Sequence, residues 1–421
     1  MSRRLTVLVQ AYACNPRYGS EEGVGWGWVT AIAEHHDLHV LTAAYHQADI
    51  EAALDAEPGL SDRIRFHYVP HRVWHYHPTP VWKWIEASIV KPIMHIAYRS
   101  WQRAAYKFAT DLAATTQFDL VHVITYVGFR FPGKFWKMPI PLVWGPIGGL
   151  ENTPWRYFPV FRPTGIIKYT GRNIINTMHK ALLISPRKAF RKAEGGVIAA
   201  TTTIGEEIEK WYGVGSFVCC EIGAVGQPDL VEISERAEGE PLRIVWSGLH
   251  EDRKALPLLF EALASLPTEV DWELTVLGSG PLTGNWRDHA AELGVAEHVT
   301  WTGHISRDVA IERMSGSHVM VVTSVYDLTS TVIVEALCLG LPVICPNHYG
   351  FRDAVDATCG IKVPTTSLND ITLGIAAALE RLHDDEAQRR KLARGALQRA
   401  KHFSWEIIGQ FVSGIYETRV Q

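Results

Sequence analysis

The sequence has no run of about 18 uninterrupted apolar residues among its 421 positions. A helix needs roughly 20 such residues to cross the hydrocarbon core of a bilayer, so no membrane-spanning helix is predicted. The first residues, Met1 to Cys14, have a basic head and a short apolar run, as a secretory signal does. Because Gln10 interrupts that run and a glycine-rich segment follows it, a first β-strand is the better interpretation.

Cysteine is scarce, and it is not arranged for metal binding. Six cysteines occur, and no two of them form a C-x-x-C pair. Most lie in apolar strand-like or helical stretches, which predicts buried thiols in a reducing cytosol. Cys, His and acidic residues also lack the spacing of a metal site, so we expect no metal and no cofactor.

The length and the pattern of apolar segments predict two α/β domains. A chain of 421 residues exceeds the size at which a single core keeps growing. Short apolar strands alternate with helical stretches in both halves, which predicts two doubly wound parallel sheets. Residues 226–240 are polar and poorly periodic, and they read as the linker between a domain at 1–225 and another at 241–403.

Acidic residues are scarce in one part of the chain. Residues 63–192 contain 20 Lys or Arg against four Asp or Glu, so this segment carries +16 and the remainder −20. Within it, residues 63–107 are both basic and aromatic, as at Trp74, Tyr76, Trp82 and Trp84. This mixture suits an anionic membrane surface. Two alternatives are stacking on single-stranded nucleic acid, which we do not expect, and the core of a long helix with solvated charges outside.

A glycine-rich segment follows the first predicted strand. Leu5 to Tyr12 reads as the strand, Asn15 to Gly25 as a loop and Trp26 to Glu34 as a helix. The G-x-G-x-x-G spacing of a dinucleotide site is absent. The glycines either let the backbone approach a ligand at the end of the sheet or merely form a tight turn. The candidate cleft residues of this segment are Gly19, Ser20, Glu21 and Gly25.

A later segment, Phe118 to Tyr126, reads as a buried parallel strand. Its end is expected to bring His122, Thr125 and Tyr126 to the edge of the same cleft. A lone histidine at a strand end is usually structural, and the alternative is a contact with a ligand.

The segment from Thr323 to Glu335 reads as strand end, loop and helix. A helix that begins among Thr329, Ser330 and Thr331 presents free N–H groups and the positive end of its dipole, which suits an anionic diphosphate. Asp327 and Glu335 could then hold hydroxyl groups of what the diphosphate carries. The alternative is that Asp327 and the threonines cap the helix while Glu335 faces solvent.

Two neighbouring cations, Arg253 and Lys254, follow the Gly248 turn that opens the second predicted sheet. An Arg binds a diphosphate through a bidentate fork and a Lys acts as a point charge, so the pair is suited to an anionic ligand. The alternative is a first helical turn whose charges face water.

These segments together resemble the retaining glycosyltransferases of family 4. In that family two acids flank seven residues and the run continues E-A-x-x-x-G-x-P-V-I, which is similar to Glu335 to Ile344 with Asp327 as the first acid. The usual Gly-Phe-Gly is replaced by Leu328, Thr329 and Ser330. The family's G-R-x-x-x-x-K-G loop is matched at Lys254, whereas Leu249 stands at its Arg and Ala255 at its closing Gly.

Further segments carry the same resemblance. The turns containing Gly278 and Gly303 resemble those that touch the nucleotide, and the segment from Gly19 resembles a G-S-E-x-G-x-G-W loop of bacterial members. The family's D-x-x-H-x-H motif keeps only His122, because Ile124 stands at the second His.

The resemblance implies a GT-B fold, in which two Rossmann-like domains face each other across a cleft and a terminal helix, here 404–421, packs back on the first. It implies metal-independent transfer of a sugar from a nucleotide diphosphate sugar to a glycan, lipid-linked or small-molecule acceptor, with retention of configuration. The expected setting is bacterial envelope or exopolysaccharide synthesis in the cytoplasm, at the inner face of the membrane. Rival interpretations are a sugar-nucleotide epimerase of the same architecture and a non-catalytic, membrane-associated subunit of a polysaccharide assembly.

The implied roles divide among four groups of residues. Asp327 and His122 are expected to be catalytic or to contact the sugar. The donor diphosphate is expected to be bound by Arg253, Lys254, Thr329, Ser330 and Thr331. The nucleoside is expected to be bound by Glu335, Gly278 and Gly303. The acceptor side of the cleft is expected to be lined by Gly19, Ser20, Glu21, Gly25, Thr125 and Tyr126.

Overall fold

The structure is a computed structural model that describes residues 3–70, 91–124, 126, 128–224, 228 and 231–421, without the side chains of residues 20 and 91–95. Three sequence predictions therefore lie wholly or partly outside the described residues. They concern Thr125, the part of the basic aromatic segment that includes Trp74, Tyr76, Trp82 and Trp84, and part of the predicted linker.

The first half of the chain forms a seven-stranded parallel sheet with the order β3-β2-β1-β4-β5-β6-β7. Its central strands are apolar on both faces, as expected for strands covered by helices on both sides. The strands are β1 (Thr6–Gln10), β2 (Asp37–Ala43), β3 (Ile64–Val69), β4 (Leu120–Val123), β5 (Leu142–Ile147), β6 (Val197–Ala199) and β7 (Phe217–Val218).

The described helices of this half connect or flank the strands of that sheet. They are α1 (Ser20–Ala33), α2 (Gln47–Ala56), α3 (Pro58–Ser61), α4 (Lys91–Ala113), α5 (Pro163–Leu182), α6 (Ile184–Lys192) and α7 (Thr202–Tyr212). Short 3-10 turns occur at Ala44–His46, Phe135–Lys137 and Trp155–Val160. Helix α7 shows why such elements start and stop where they do. The Thr201 hydroxyl accepts a hydrogen bond from Ile204 N at its start, and Gly213 takes a left-handed conformation at its end.

The second half forms a six-stranded parallel sheet with the order β10-β9-β8-β11-β12-β13. The strands are β8 (Leu242–Ser247), β9 (Trp272–Leu277), β10 (Val299–Gly303), β11 (Val319–Val321), β12 (Val343–Pro346) and β13 (Gly360–Val363). Two parallel Rossmann-like sheets were predicted from the sequence, and this architecture is confirmed.

The helices of the second half begin with α8 and end with a helix that returns to the first sheet. They are α8 (Pro257–Ala264), α9 (Thr283–Glu292), α10 (Arg307–Ser315), α11 (Thr331–Cys338), α12 (Tyr349–Ala354), α13 (Leu368–Asp384), α14 (Glu386–Lys401) and α15 (Trp405–Val420). Short 3-10 turns occur at Asp252–Lys254 and Ala296–His298.

Helix α15 packs against α1 of the first domain. Tyr416 and Val412 lie in one buried cluster with Val9 and Trp28. Trp405 lies between Gly27 and Gly223, where a Cβ built on either glycine would come within 2.2 Å of its ring. The two passages of the chain between the domains also meet, because Ala224 N donates a hydrogen bond to Phe403 O at 2.6 Å.

The segment 155–169 lies in the first half of the sequence but packs on the second sheet. Tyr157, Phe161 and Tyr169 belong to the buried cluster that contains Leu256 and Leu274. The two domains therefore share apolar packing as well as a chain connection. A single domain boundary along the sequence assigns residues 155–169 to the first domain, because they lie far before the predicted linker, although they pack on the second sheet.

Candidate functional site

Each sheet has one place where the strand order reverses, and ligands of open α/β sheets bind outside the carboxyl ends of the strands at such a point. In the second sheet the reversal falls between β8 and β11, which pair directly. The loop after β8 carries Arg253 and Lys254, and the loop after β11 carries Asp327. The topology thus brings together residues that are more than 70 positions apart in the chain.

The side chains of Asp327, Arg253 and Lys254 form a compact ionic cluster. Lys254 Nζ lies 2.6 Å from Asp327 Oδ2, and Arg253 Nη1 lies 2.9 Å from Asp327 Oδ1. Their side chains are 16%, 25% and 12% exposed, respectively. Arg253 Nε also contacts Glu251 Oε1 at 2.5 Å. The two cations predicted to bind a diphosphate are therefore adjacent and already paired with carboxylates.

Backbone contacts hold the two loops of this cluster against each other. Val325 N donates to Arg253 O at 2.9 Å, and the Thr323 hydroxyl donates to Lys254 O at 2.6 Å. Burial lowers the pKa of Arg253, but the carboxylates of Asp327 and Glu251 outweigh that effect and raise it overall. The guanidinium is thus held firmly in its charged form.

Helix α11 begins beside this cluster, at Thr331, with Ser330 as its N-cap residue. The hydroxyl of Thr329 donates a hydrogen bond to Glu221, a first-domain carboxylate that sequence reasoning did not identify. Burial raises the pKa of Glu221 to about 7. Thr329 and Ser330 also line a cavity of about 270 Å³ between the domains, together with Cys219, Asp353, Phe403 and other residues. Their side chains therefore face Glu221 and this cavity, while Lys254 faces Asp327.

The predicted nucleoside residues lie at the ends of neighbouring strands. Gly278 N donates to Gly303 O at 3.1 Å. A Cβ on Gly278, whose φ is +115°, would come within 2.2 Å of Gly248 O, so glycine is required there. Glu335, on helix α11, contacts Arg307 Nε through Oε1 at 2.8 Å. Burial raises the pKa of Glu335, and the Arg307 charge opposes this.

The structure corrects the prediction for His122. The residue is fully buried in β4 and does not reach the edge of the cleft. Its Nδ1 lies 2.6 Å from the Tyr416 hydroxyl of α15, and its Nε2 lies 2.9 Å from Gly145 O. Burial lowers the pKa of His122 to about 3. His122 therefore joins the terminal helix to the first sheet, and neither ring nitrogen is available to a sugar.

The glycine-rich segment of the first domain is also corrected. It was predicted as a loop up to Gly25, but α1 already begins at Ser20, so Glu21 and Gly25 are helical and Gly19 is the N-cap residue. Tyr126 has a positive φ of 64° and stacks on Tyr98 at a ring distance of 4.3 Å. Burial and then the nearby charge of Glu21 raise the pKa of Tyr126 to about 12. Tyr126 and Glu21 are thus close together.

Several first-domain residues reach the loop after β11, and the sequence motifs did not identify them. The Arg172 guanidinium lies 4.1 Å from the centre of the Tyr326 ring and donates a hydrogen bond to its hydroxyl. A Cβ on Gly148 would come within 2.6 Å of Leu328 Cδ2, so the two domains are in direct contact there. Nearby, burial raises the pKa of Glu151 to about 8. No local sequence pattern marks these contacts, because they exist only once the two sheets face each other.

The described residues contain no group of three or more His, Cys, Asp or Glu that could hold a metal ion.

Parts of this chain are similar in sequence to known proteins. Residues 230–399 match the family model described as "Glycosyl transferases group 1". The chain is 28% identical over 177 residues to the alpha-D-kanosaminyltransferase of Streptomyces kanamyceticus, which covers 41% of this chain and 45% of that protein. The chain spans about half the length of the curated relatives it matches.

Solved structures resemble the chain over nearly its whole length. Sucrose-phosphate synthase from Thermosynechococcus elongatus superposes with a TM-score of 0.62 at 16% identity and covers 98% of both chains. Anabaena Alr3699/HepE in complex with UDP and glucose has a TM-score of 0.57 at 14% identity, with 98% of this chain and 99% of that chain covered. At such identities the likeness concerns the fold, which is the predicted GT-B arrangement. Residues 230–399, which carry Arg253, Lys254, Asp327 and Glu335, are therefore the part of this chain that is similar to the group 1 glycosyltransferases.

Proposed function

We propose that this protein transfers a sugar from a nucleoside diphosphate donor to an acceptor hydroxyl, with retention of the anomeric configuration. The observation that supports this most is the pair Arg253 and Lys254 at the switch point of the second sheet, next to the start of α11. Two cations and the positive end of a helix at one place suit a departing diphosphate.

In this proposal the protein acts chiefly on the leaving group. The barrier lies in departure of the diphosphate from an oxocarbenium-like centre, and fixed positive groups at the leaving oxygen lower it. Arg253 and Lys254 would supply that charge, together with the backbone amides at and just before the start of α11, at Thr329, Ser330 and Thr331. Because Asp327 pairs with both cations, the donor diphosphate would take the place of its carboxylate on them. Asp327 is then free to accept hydrogen bonds from the donor sugar.

The nucleoside would lie across the ends of β8, β9 and β10. The turns at Gly278 and Gly303 let the backbone approach a base and ribose closely. Glu335 would bind the ribose hydroxyls through the carboxylate that Arg307 now orients. A UDP complex of Anabaena Alr3699/HepE, which shares the fold, supports a nucleoside diphosphate as the common part of the donor.

The acceptor would enter from the first domain, near Gly19, Glu21 and Tyr126. Polysaccharide or glycolipid synthesis is the proposed setting. No metal takes part in this scheme, because Arg253 and Lys254 neutralise the leaving diphosphate.

The first experiment is a thermal-shift panel with UDP, GDP, ADP and TDP, followed by product analysis with sugar nucleotides of the base that binds. Lys254→Ala and Glu335→Ala are expected to lower turnover by at least about tenfold, since each removes a charged contact to the donor. Lys391→Ala removes an exposed lysine on α14 of the same domain and serves as the matched control. NMR of the anomeric proton of donor and product reports retention.

Two results would contradict the proposal. If both variants turned over the cognate donor as the wild type does, the assigned site would be wrong. If the wild type converted the donor sugar to an epimer equally well without an acceptor, the protein would be an epimerase.

A further inference from the structure

Helix α5 (Pro163–Leu182) turns polar residues inward and apolar residues outward, the reverse of a normal surface helix. Asn173, Asn176 and Lys180 are buried. On the opposite side Ile167 is 74% exposed and Leu182 is 68% exposed. The exposed apolar residues of this helix and the residues that follow it are Ile166, Ile167, Ile174, Ile175, Met178, Leu182 and Ile184. We call this set the α5 apolar face.

Specific hydrogen bonds fix the inward face. Asn173 accepts from Thr153 N at 2.9 Å and donates to Thr153 O at 2.7 Å. Asn176 Nδ2 donates to Leu150 O at 2.9 Å, and Lys180 Nζ donates to the same carbonyl at 2.9 Å. Lys180 Nζ also pairs with Glu207 at 2.6 Å. Turning the apolar face inward would break these hydrogen bonds and leave the backbone groups of Thr153 and Leu150 without partners, so its exposure is a stable property of the fold.

The charged residues of the segment that carries this face have a single sign. Residues 152–193 contain nine Lys or Arg and no Asp or Glu. Lys168, Lys188 and Arg191 are exposed among them, and Trp155, just before α5, is also exposed. Two acids from outside the segment reach it, because Asp252 pairs with Arg162 and Glu207 pairs with Lys180. A surface of isoleucines in a predominantly cationic segment is complementary to a partner that is both apolar and negatively charged.

An anionic phospholipid surface has that combination. Helices that lie in the membrane plane insert an apolar face at the level of the acyl boundary and place Lys and Arg at the phosphates. Each cation near such a surface strengthens binding about fivefold. No helix of the described residues is long and apolar enough to span a membrane. A protein partner would need an acidic rim around an apolar groove, whereas an anionic bilayer offers both features over its whole surface.

We infer that the α5 apolar face docks this protein on an anionic phospholipid bilayer, with α5 lying parallel to the surface. The helix would present its outer side to the lipid while its inner side stays in contact with the candidate site. Arg172, in the middle of α5, contacts Tyr326, the residue before Asp327. Docking would therefore hold the mouth of the cleft at the bilayer surface, within reach of a lipid-anchored acceptor. This goes beyond the proposed function, which does not require a membrane.

The test is co-sedimentation of the full chain with vesicles of phosphatidylcholine alone and of equal parts phosphatidylglycerol and phosphatidylcholine. The wild type is expected to bind the second and not the first. The variant Ile167→Ser/Ile174→Ser/Leu182→Ser should bind at least about 100-fold more weakly, because three apolar side chains no longer enter the bilayer. The matched control is Val309→Ser/Leu373→Ser, two exposed apolar residues of the second domain, which should bind as the wild type does.

A charge variant tests the electrostatic half of the inference. Lys168→Glu/Lys188→Glu should lose binding to phosphatidylglycerol vesicles, while Lys391→Glu/Arg394→Glu on α14 should retain it. If the serine variant unfolded, which circular dichroism would reveal, the charge variant would still decide the question. The shift in melting temperature with the cognate nucleoside diphosphate, measured on the same samples, separates a failure of docking from a failure of the proposed function.

Three outcomes would overturn the inference. The first is that the wild type does not bind phosphatidylglycerol vesicles. The second is that the serine and charge variants bind these vesicles as well as the wild type does. The third is that the control variants lose binding to the same extent as the serine and charge variants. Dimers of the wild type that dissociate in the serine variant, without vesicle binding, would instead make the face a contact between copies of this chain.

Discussion

Replacement of Asp327 by Asn is expected to strengthen the binding of a nucleoside diphosphate and yet reduce turnover. In the unliganded protein Asp327 contacts both Lys254 and Arg253, at 2.6 and 2.9 Å. A diphosphate must take over these cations, so it competes with the carboxylate and is also repelled by it. Asparagine keeps the shape and removes the negative charge. The sugar, in contrast, loses the acceptor proposed to orient it.

The magnitude follows from the geometry of the ionic cluster. Two charge-assisted hydrogen bonds are lost, each worth about 1.5 to 3 kcal/mol, although the amide oxygen replaces part of one. The exposures of 12% to 25% place the pairs between surface and interior, so we expect the unliganded variant to be about 2 kcal/mol less stable. Removal of the competing charge should tighten diphosphate binding by about 1.4 kcal/mol, or about tenfold.

Titration calorimetry measures the affinity of the wild type and of Asp327→Asn for the nucleoside diphosphate that gives the largest thermal shift. Urea unfolding measures the stability of both proteins. Asp252→Asn is the matched control. It removes a carboxylate from the same turn as Lys254, but that carboxylate contacts Arg162 at 3.3 Å. Its affinity for the diphosphate should change less than about threefold. Weaker or unchanged diphosphate binding by Asp327→Asn would refute the competition between donor and carboxylate.

Three further predictions concern stability. Burial lowers the pKa of several histidines, so between about pH 6.5 and pH 4 the unfolded chain binds protons that the native state does not. The free energy of unfolding, measured in urea, should therefore fall as the pH decreases through this range. An unchanged free energy of unfolding over that range would contradict this. The histidines are His36, His39, His46, His122, His250, His318 and His348. Glu151, with its pKa raised to about 8, has the opposite sign, since its folded form holds a proton that the unfolded form releases. Glu151→Gln should therefore gain about 3 to 4 kcal/mol relative to the wild type between pH 5 and pH 8, and a constant difference would show that Glu151 titrates normally. Gly27→Ala should destabilise the protein by about 1 to 3 kcal/mol, because its Cβ would meet the Trp405 ring at 2.1 Å. The control is Gly284→Ala, at a position on α9 where a Cβ meets open space, and it should not destabilise the protein. Equal effects of the two variants would argue against tight packing of Trp405 on Gly27.

The loop positions of Arg253, Lys254 and Asp327 could be predicted from the sequence, whereas the pairing of their side chains could not. Arg253, Lys254 and Asp327 each follow a short apolar strand, and the switch point of a doubly wound sheet makes the ends of those strands neighbours. The roles of Gly278 and Gly303 came from the resemblance to a glycosyltransferase family, and their contact with a nucleotide stays a prediction.

Other features depend on packing between distant segments, which no local pattern reports. His122 looked like a strand-end ligand, but Tyr416, almost 300 residues later, occupies one of its ring nitrogens. The sequence of α5 does not show which side of the helix faces solvent, because that side is set by polar contacts to Thr153 and Leu150. Glu221 carried no motif at all, and its contact with Thr329 arises only from the approach of the two domains.

The hydrogen bond between Ala224 and Phe403 has a mechanical consequence for the whole molecule. Ala224 and Phe403 lie where the chain passes between the domains, so the two passages are joined at one point. We expect any relative rotation of the domains to be smallest at that point and largest far from it, as at the contact between Arg172 and Tyr326.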